Sequence, residues 1–208
     1  MSIDKVDHPK GFAFAIVAYL LWGFLPIYMK ALSHVPASEV VAHRVIWSVP
    51  VAMIVLVALR RTSDLKNALR SKRVMGMALL TATLISVNWL TYVYAIATDR
   101  ALDAALGYYI NPLFSVFLGF ALLGEKLTQR QWIAIFLTLL AVAILTYEVG
   151  SLPWLSLILT ISWGFYALFK RSLPIGPNQG FLLEVLLLCP LAILYLSYLS
   201  AMGENHFV

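Results

Sequence analysis

The chain has 208 residues, of which 62% are hydrophobic and 12% charged, with a formal net charge of +5. Water-soluble domains run at about 45–50% apolar and 25% charged, so this composition excludes a soluble globular domain. It also leaves no room for a separate catalytic domain, because the longest polar stretch, 60–73, is too short to fold alone.

A helix that crosses about 30 Å of hydrocarbon needs roughly 20 mostly apolar residues. The polar amino terminus, Met1 to Lys10, leads into a first apolar run over 11–29 that lacks a small-residue cleavage pattern, so it is read as an uncleaved first helix. Further spans are predicted over 40–59, 74–98, 101–123, 131–148, 151–169 and 180–200. The expected fold class is therefore all-α, a polytopic membrane helix bundle of about seven helices. Gly150 and Pro153 mark the start of the sixth helix, and Leu173, Pro174, Gly176 and Pro177 mark the loop after it. Cys189 has no cysteine partner for a disulfide.

Basic residues resist translocation and collect in cytoplasmic loops. Lys5, Lys10, Arg60, Arg61, Lys66, Arg70, Lys72, Arg73, Lys126, Arg130, Lys170 and Arg171 fall on one side of the predicted spans, whereas Lys30 and Arg100 fall on the other. This asymmetry predicts an integral plasma (inner) membrane protein with its amino terminus in the cytoplasm. The basic run over 60–73 is read as a topogenic loop facing anionic lipid, not as a nucleic-acid site.

An internal repeat is visible. Trp22-Gly23-Phe24 recurs as Trp163-Gly164-Phe165 at an offset of 141, which also carries Lys30 onto Arg171 and Pro36 onto Pro177. An offset of 140 carries Pro50 onto Pro190. Five predicted helices separate the copies, so the two enter the membrane in opposite directions, the inverted repeat of many secondary transporters. The first repeat is assigned to 1–149 and the start of a second to 150–208. On this arithmetic the second copy lacks counterparts of helices three to five, or roughly 75 residues of a ten-helix fold.

The chain resembles RarD-type permeases of the EamA branch of the drug/metabolite transporter superfamily, over essentially its whole length. The resemblance rests on Tyr19-x-x-Trp22-Gly23, on His43-Arg44-Val45-Ile46-Trp47-Ser48, and on Asn88-Trp89. It continues in Gly107-Tyr108-x-Ile110-Asn111-Pro112-Leu113, Leu123-Gly124-Glu125 and Gly150-Ser151-Leu152-Pro153. It implies ten helices in two inverted five-helix halves and movement of small metabolites or drugs across the membrane.

Charged side chains in hydrocarbon are costly and usually face a cavity or a partner. Arg44 and Glu184 are each expected about four residues, or ~6 Å, inside a span, at opposite faces and about 18 Å apart along the normal of a ~30 Å core. They read as one charge at each mouth of a pathway, or as helix anchors that snorkel to the nearer interface. Pro50, Pro112 and Pro190 are expected to break their helices, freeing the carbonyls of Ile46, Tyr108 and Leu186. Transporter sites gather at such breaks, which favours Asn111 with Tyr108 as the solute site; a plain packing kink is the alternative. Asn88 and Tyr92 share a helix face that suits either a polar-aromatic pocket or interhelical hydrogen bonding. Trp22 and Trp163, deep in their helices beside Gly, suit core packing as well as substrate stacking. Ala101, Ala104, Ala105 and Gly107 suggest close helix packing.

No metal-ligand spacing, phosphate-cradling glycine loop or nucleophile elbow occurs in the sequence. No enzyme, metal or cofactor is implied. The expected partners are a small-molecule solute and membrane lipid, and a homodimer is compatible with the sequence. The leading reading is a secondary permease using alternating access; the alternative is a truncated, non-transporting membrane assembly or scaffold protein. A seven-helix retinal protein would need a lysine late in the chain, and 180–200 has none.

Overall fold

The computed structural model describes residues 9–60 and 62–207. Lys5 and Arg61 of the sequence reading lie outside the described residues. The helices in chain order are α1 (Pro9–Ala31), α2 (Ala37–Ala58), α3 (Ser63–Arg70), α4 (Lys72–Ala97), α5 (Ala101–Leu123), α6 (Gln129–Val149), α7 (Trp154–Arg171) and α8 (Pro177–Met202).

Among the described residues, six of these, α1, α2, α4, α5, α6 and α8, are long and apolar enough to cross a membrane. The expected seventh span, α7, has 18 residues and carries Lys170 and Arg171 in its last turn. Those two charges lower its apolar average, so it does not join the six. The short helix α3 replaces the loop expected over 60–73. Leu65 and Ala68, three residues apart, lie on one face and are enough to seat a surface helix. Ala68 is buried against Val74, Leu173 and Leu183, while Leu65 packs on the cluster of Leu56 and Leu182.

Helix ends follow local chemistry. Thr128 and Gln131 form a capping box at the start of α6, satisfying backbone N–H groups that have no partner inside the helix. Gly124 ends α5 at φ +68°, a conformation that disfavours a Cβ.

The central element is α4, which touches α1, α2, α3, α5, α7 and α8. Around it stand two pairs. Helices α2 and α8 run antiparallel: Ser38 and Tyr195 hydroxyls meet at 2.7 Å near one end, and Ala52 and Leu56 pack on Leu182 and Val185 near the other. Helices α5 and α7 run parallel. Ser156 Oγ donates to Asp103 O at 2.6 Å, Thr160 Oγ1 donates to Gly107 O at 2.9 Å, and Gly164 lies against Phe114 further along. Of the small residues expected to pack closely, Ala104 and Gly107 are buried in this contact, whereas Ala101 and Ala105 are exposed.

The two ends of the bundle differ in charge. Lys30 meets Asp99 at 2.6 Å and Arg100 stacks over Trp154 at one end. At the other end α3, the start of α4 and the α7–α8 turn meet through Ala68, Val74 and Leu173. They bring with them Arg70, Lys72, Arg73, Lys170 and Arg171.

The two tryptophan-glycine copies have different surroundings. A Cβ added at Gly164 would sit 2.5 Å from Phe114 Cδ1, whereas one at Gly23 would have nothing within 4 Å. Only 6% of the apolar stretch of α1 and 0% of that of α6 is buried, against 33% of α4 and α8.

Candidate functional site

Polar and aromatic side chains meet inside the bundle in two places. The first lies between α2, α4, α5 and α8. The Arg44 guanidinium is centred 4.8 Å over the Trp89 ring, and Tyr28, Tyr92 and Tyr108 lie within its electrostatic range. Tyr92 and Tyr108 meet edge to face at 6.0 Å, as do Trp89 and Phe181 at 6.3 Å. From Arg44 a cleft of about 490 Å³ extends along α2 to the start of α8, lined by Trp47, Ser48, Val51, Asn178 and Phe181 among others.

The second place lies between α7 and α8. Glu184 is fully buried; Lys170 Nζ donates to its Oε1 at 2.6 Å and Tyr166 Oη donates to its Oε2 at 3.2 Å. Trp163 stands 5.6 Å from the Tyr166 ring, and both line a cleft of about 520 Å³ with Lys170, Arg171 and Gly180. The Lys170 ammonium and the Glu184 carboxylate neutralise one another where either alone would be expensive to keep out of water.

Asn88 connects the two sides of α4. Its Nδ2 donates to Leu159 O at 3.1 Å and to Ser162 Oγ at 3.0 Å, tying α4 to α7. Asn111 is buried on α5, one turn beyond Tyr108. Among the described residues, the buried Oδ1 atoms of Asn88 and Asn111, and the buried Nη1 of Arg44, have no hydrogen-bond partner. Buried polar atoms are nearly always paired in native proteins, which sets these three apart.

The structure thus brings together Arg44, Tyr92 and Tyr108 in one place, and Trp163 and Glu184 in another. Trp22 joins neither; it is exposed on α1, edge-on to Tyr19 at 5.8 Å. Pro50, Pro112 and Pro190 lie inside α2, α5 and α8, which run past them uninterrupted. Each ring is exposed, and losing one N–H leaves the flanking backbone bonds to hold the helix. Arg44 and Glu184 are each seven residues, about 10 Å, along their helices, because α2 and α8 begin three residues earlier than the apolar runs.

Two participants were not legible in the sequence. Trp89 is off the face shared by Asn88 and Tyr92, yet it carries the Arg44 guanidinium. Lys170 reads as a loop charge, but the turn between α7 and α8 folds it back onto Glu184. A lysine and a glutamate flanking a Pro-Gly turn, with a tyrosine one turn before the lysine, is the signal that would have found it.

Comparison with known proteins gives a consistent result. Residues 9–147 match the model of the EamA-like transporter family. An uncharacterized transporter of Vibrio cholerae is 39% identical over 200 residues, which is 96% of this chain and 66% of that protein. Protein RarD of Escherichia coli K12 is 36% identical over 208 residues, covering 98% of this chain and 70% of that protein. A chloramphenicol-sensitive protein RarD of Pseudomonas aeruginosa is 30% identical over 195 residues, covering 92% and 65%. The chain spans about two thirds of the length of the curated relatives it matches. No solved structure matches it. With six membrane-length helices and these relatives, the chain is an integral multi-pass membrane protein that belongs to the EamA-like transporter family, on its RarD-type branch.

Proposed function

We propose that this protein is a secondary permease for a small organic metabolite or drug, working by alternating access between two inverted helical repeats. The observation that carries the reading is the antiparallel pairing of α2 with α8, in which Pro50 and Pro190 correspond at an offset of 140. Corresponding helices that lie antiparallel about a shared cleft are what an inverted repeat requires. In this reading residues 1–149 form the first repeat and 150–208 begin the second. The amino terminus and the basic end of the bundle lie in the cytoplasm. The solute passes through the polar-aromatic interior bounded by Arg44, Asn88, Tyr92, Tyr108, Asn111 and Trp163, with Glu184 at the cytoplasmic mouth.

The test is flux of radiolabelled chloramphenicol and benzoate in proteoliposomes, comparing wild type with Asn111→Ala, Tyr108→Phe and Glu184→Gln proteins of equal abundance. Protein-dependent flux of either probe, reduced in these variants, is expected. Flux equal to that of empty liposomes for both, or unchanged in all three variants, contradicts the reading and favours a non-transporting assembly protein.

A further inference from the structure

Charges in the packed part of a membrane helix need a counter-charge or a polar cavity. Lys170 with Glu184 meets this need, and near the other end of the bundle Lys30 pairs with Asp99 and Arg100 with Asp103. Arg44 differs. It is seven residues inside α2 and has no ion pair among the described residues. Trp89 covers the face of its guanidinium, but an aromatic face attracts the cation without accepting its in-plane N–H groups in the way an oxygen does. Nη1 is buried and has no hydrogen-bond partner among the described residues.

The surroundings define what would complete this site. A guanidinium edge fits a planar oxyanion, which it can bind through two parallel hydrogen bonds. The aromatic neighbours Tyr92 and Tyr108 are phenols, not carboxylates, and meet each other edge to face at 6.0 Å. The cleft that begins at Arg44 is walled by Trp47, Val51 and Phe181. Its volume of about 490 Å³ lies in the range of small-molecule sites, roughly 300–1,000 Å³. One cationic end and an apolar, partly aromatic body together select an amphiphilic anion.

We propose that Arg44 is the anion-binding residue of this cleft and that its ligand is a small organic acid, with the carboxylate on the guanidinium and an apolar or aromatic body along Trp47 and Phe181. This deepens the permease reading above and rests on it for the word solute. The binding site itself stands on Arg44 and the cleft.

Equilibrium binding tests the proposal without requiring transport. The 208-residue protein in phosphatidylcholine bilayers is titrated with radiolabelled benzoate, and benzamide, the same ring without charge, serves as competitor. Benzoate is expected to bind saturably and benzamide at least about tenfold more weakly, the typical value of a charge-assisted hydrogen bond. Arg44→Gln is expected to lose benzoate binding by a similar factor, and Arg44→Lys to fall between, keeping charge but losing the planar fork. Should Arg44→Gln fail to fold, the comparison of benzoate with benzamide on wild type decides alone. Equal affinity for the two probes, or no saturable benzoate binding, overturns the proposal. An arm with added phosphatidylglycerol separates a lipid headgroup from a free acid: unchanged benzoate binding is expected, and its displacement by the anionic lipid overturns the assignment of the site to a free acid. Anion-selective binding without flux would remove the permease reading and leave the site; flux without anion selectivity would do the reverse.

Discussion

Lys170 and Glu184, 14 residues apart on either side of the α7–α8 turn, meet at 2.6 Å with the glutamate fully buried. The pair holds the base of α7 against α8, and its chemistry sets the first expectation. Removing one partner leaves a buried charge unpaired, at a cost of about 3–5 kcal/mol. Lys170→Met and Glu184→Leu should each lower the thermal midpoint sharply, and the double variant should recover most of the loss. Additive losses in the double variant would show that the two side chains act independently.

The two glycines of the repeated Trp-Gly-Phe motif should respond oppositely to alanine. At Gly164 the new methyl group meets Phe114 at 2.5 Å, and overpacking of this kind costs about 1–3 kcal/mol. At Gly23 it meets nothing within 4 Å, so the helix gains about 0.5–1 kcal/mol from reduced backbone freedom. Thermal midpoints of the two variants in one detergent check both signs.

Asn88 ties α4 to α7 through Leu159 O and Ser162 Oγ. Interhelical hydrogen bonds in membranes are worth about 0.6 kcal/mol on average and up to ~1.7. Asn88→Leu should therefore cost on the order of 1 kcal/mol. A double-mutant cycle with Ser162→Ala should show coupling between the two positions; zero coupling would place the cost elsewhere.

Ala68 seats α3 on the end of the bundle. Ala68→Glu puts a carboxylate against Val74, Leu173 and Leu183, which should release α3 without melting the long helices. Trypsin cleavage after Arg70 should quicken several-fold while the helical circular dichroism signal stays within a few per cent of wild type, as a local opening requires. Equal cleavage rates would mean that α3 is not held by this contact.

Much of the fold could be read directly from the chain because hydrocarbon leaves few options: long apolar runs must form helices whose backbone groups pair internally. Each of the seven long helices lies within three residues of its expected bounds, and the 101–123 helix coincides with α5. Helix α3 was missed because an eight-residue segment with two seated apolar residues carries too short a pattern to stand out from a basic loop. The side chains were harder to place. Spacing along one helix puts Asn88 and Tyr92 on a common face, but whether Trp89 or Tyr92 covers Arg44 depends on how α2 crosses α4. That crossing angle comes from packing between distant segments, not from local pattern. For the same reason Lys170 reads as a loop charge until α7 and α8 are docked. Proline is ambiguous from the sequence, because the missing N–H marks where a helix could break without specifying that it does.

The account depends on α2 and α8 being matching helices that enter the membrane from opposite faces. The most direct measurement introduces a single cysteine just before each helix, His34→Cys and Ser172→Cys, in a Cys189→Ser background; both positions are exposed. A membrane-impermeant maleimide should label position 34 in intact cells and position 172 only after the membrane is opened. Labelling of both from the same side would contradict the inverted arrangement, and with it the shared pathway.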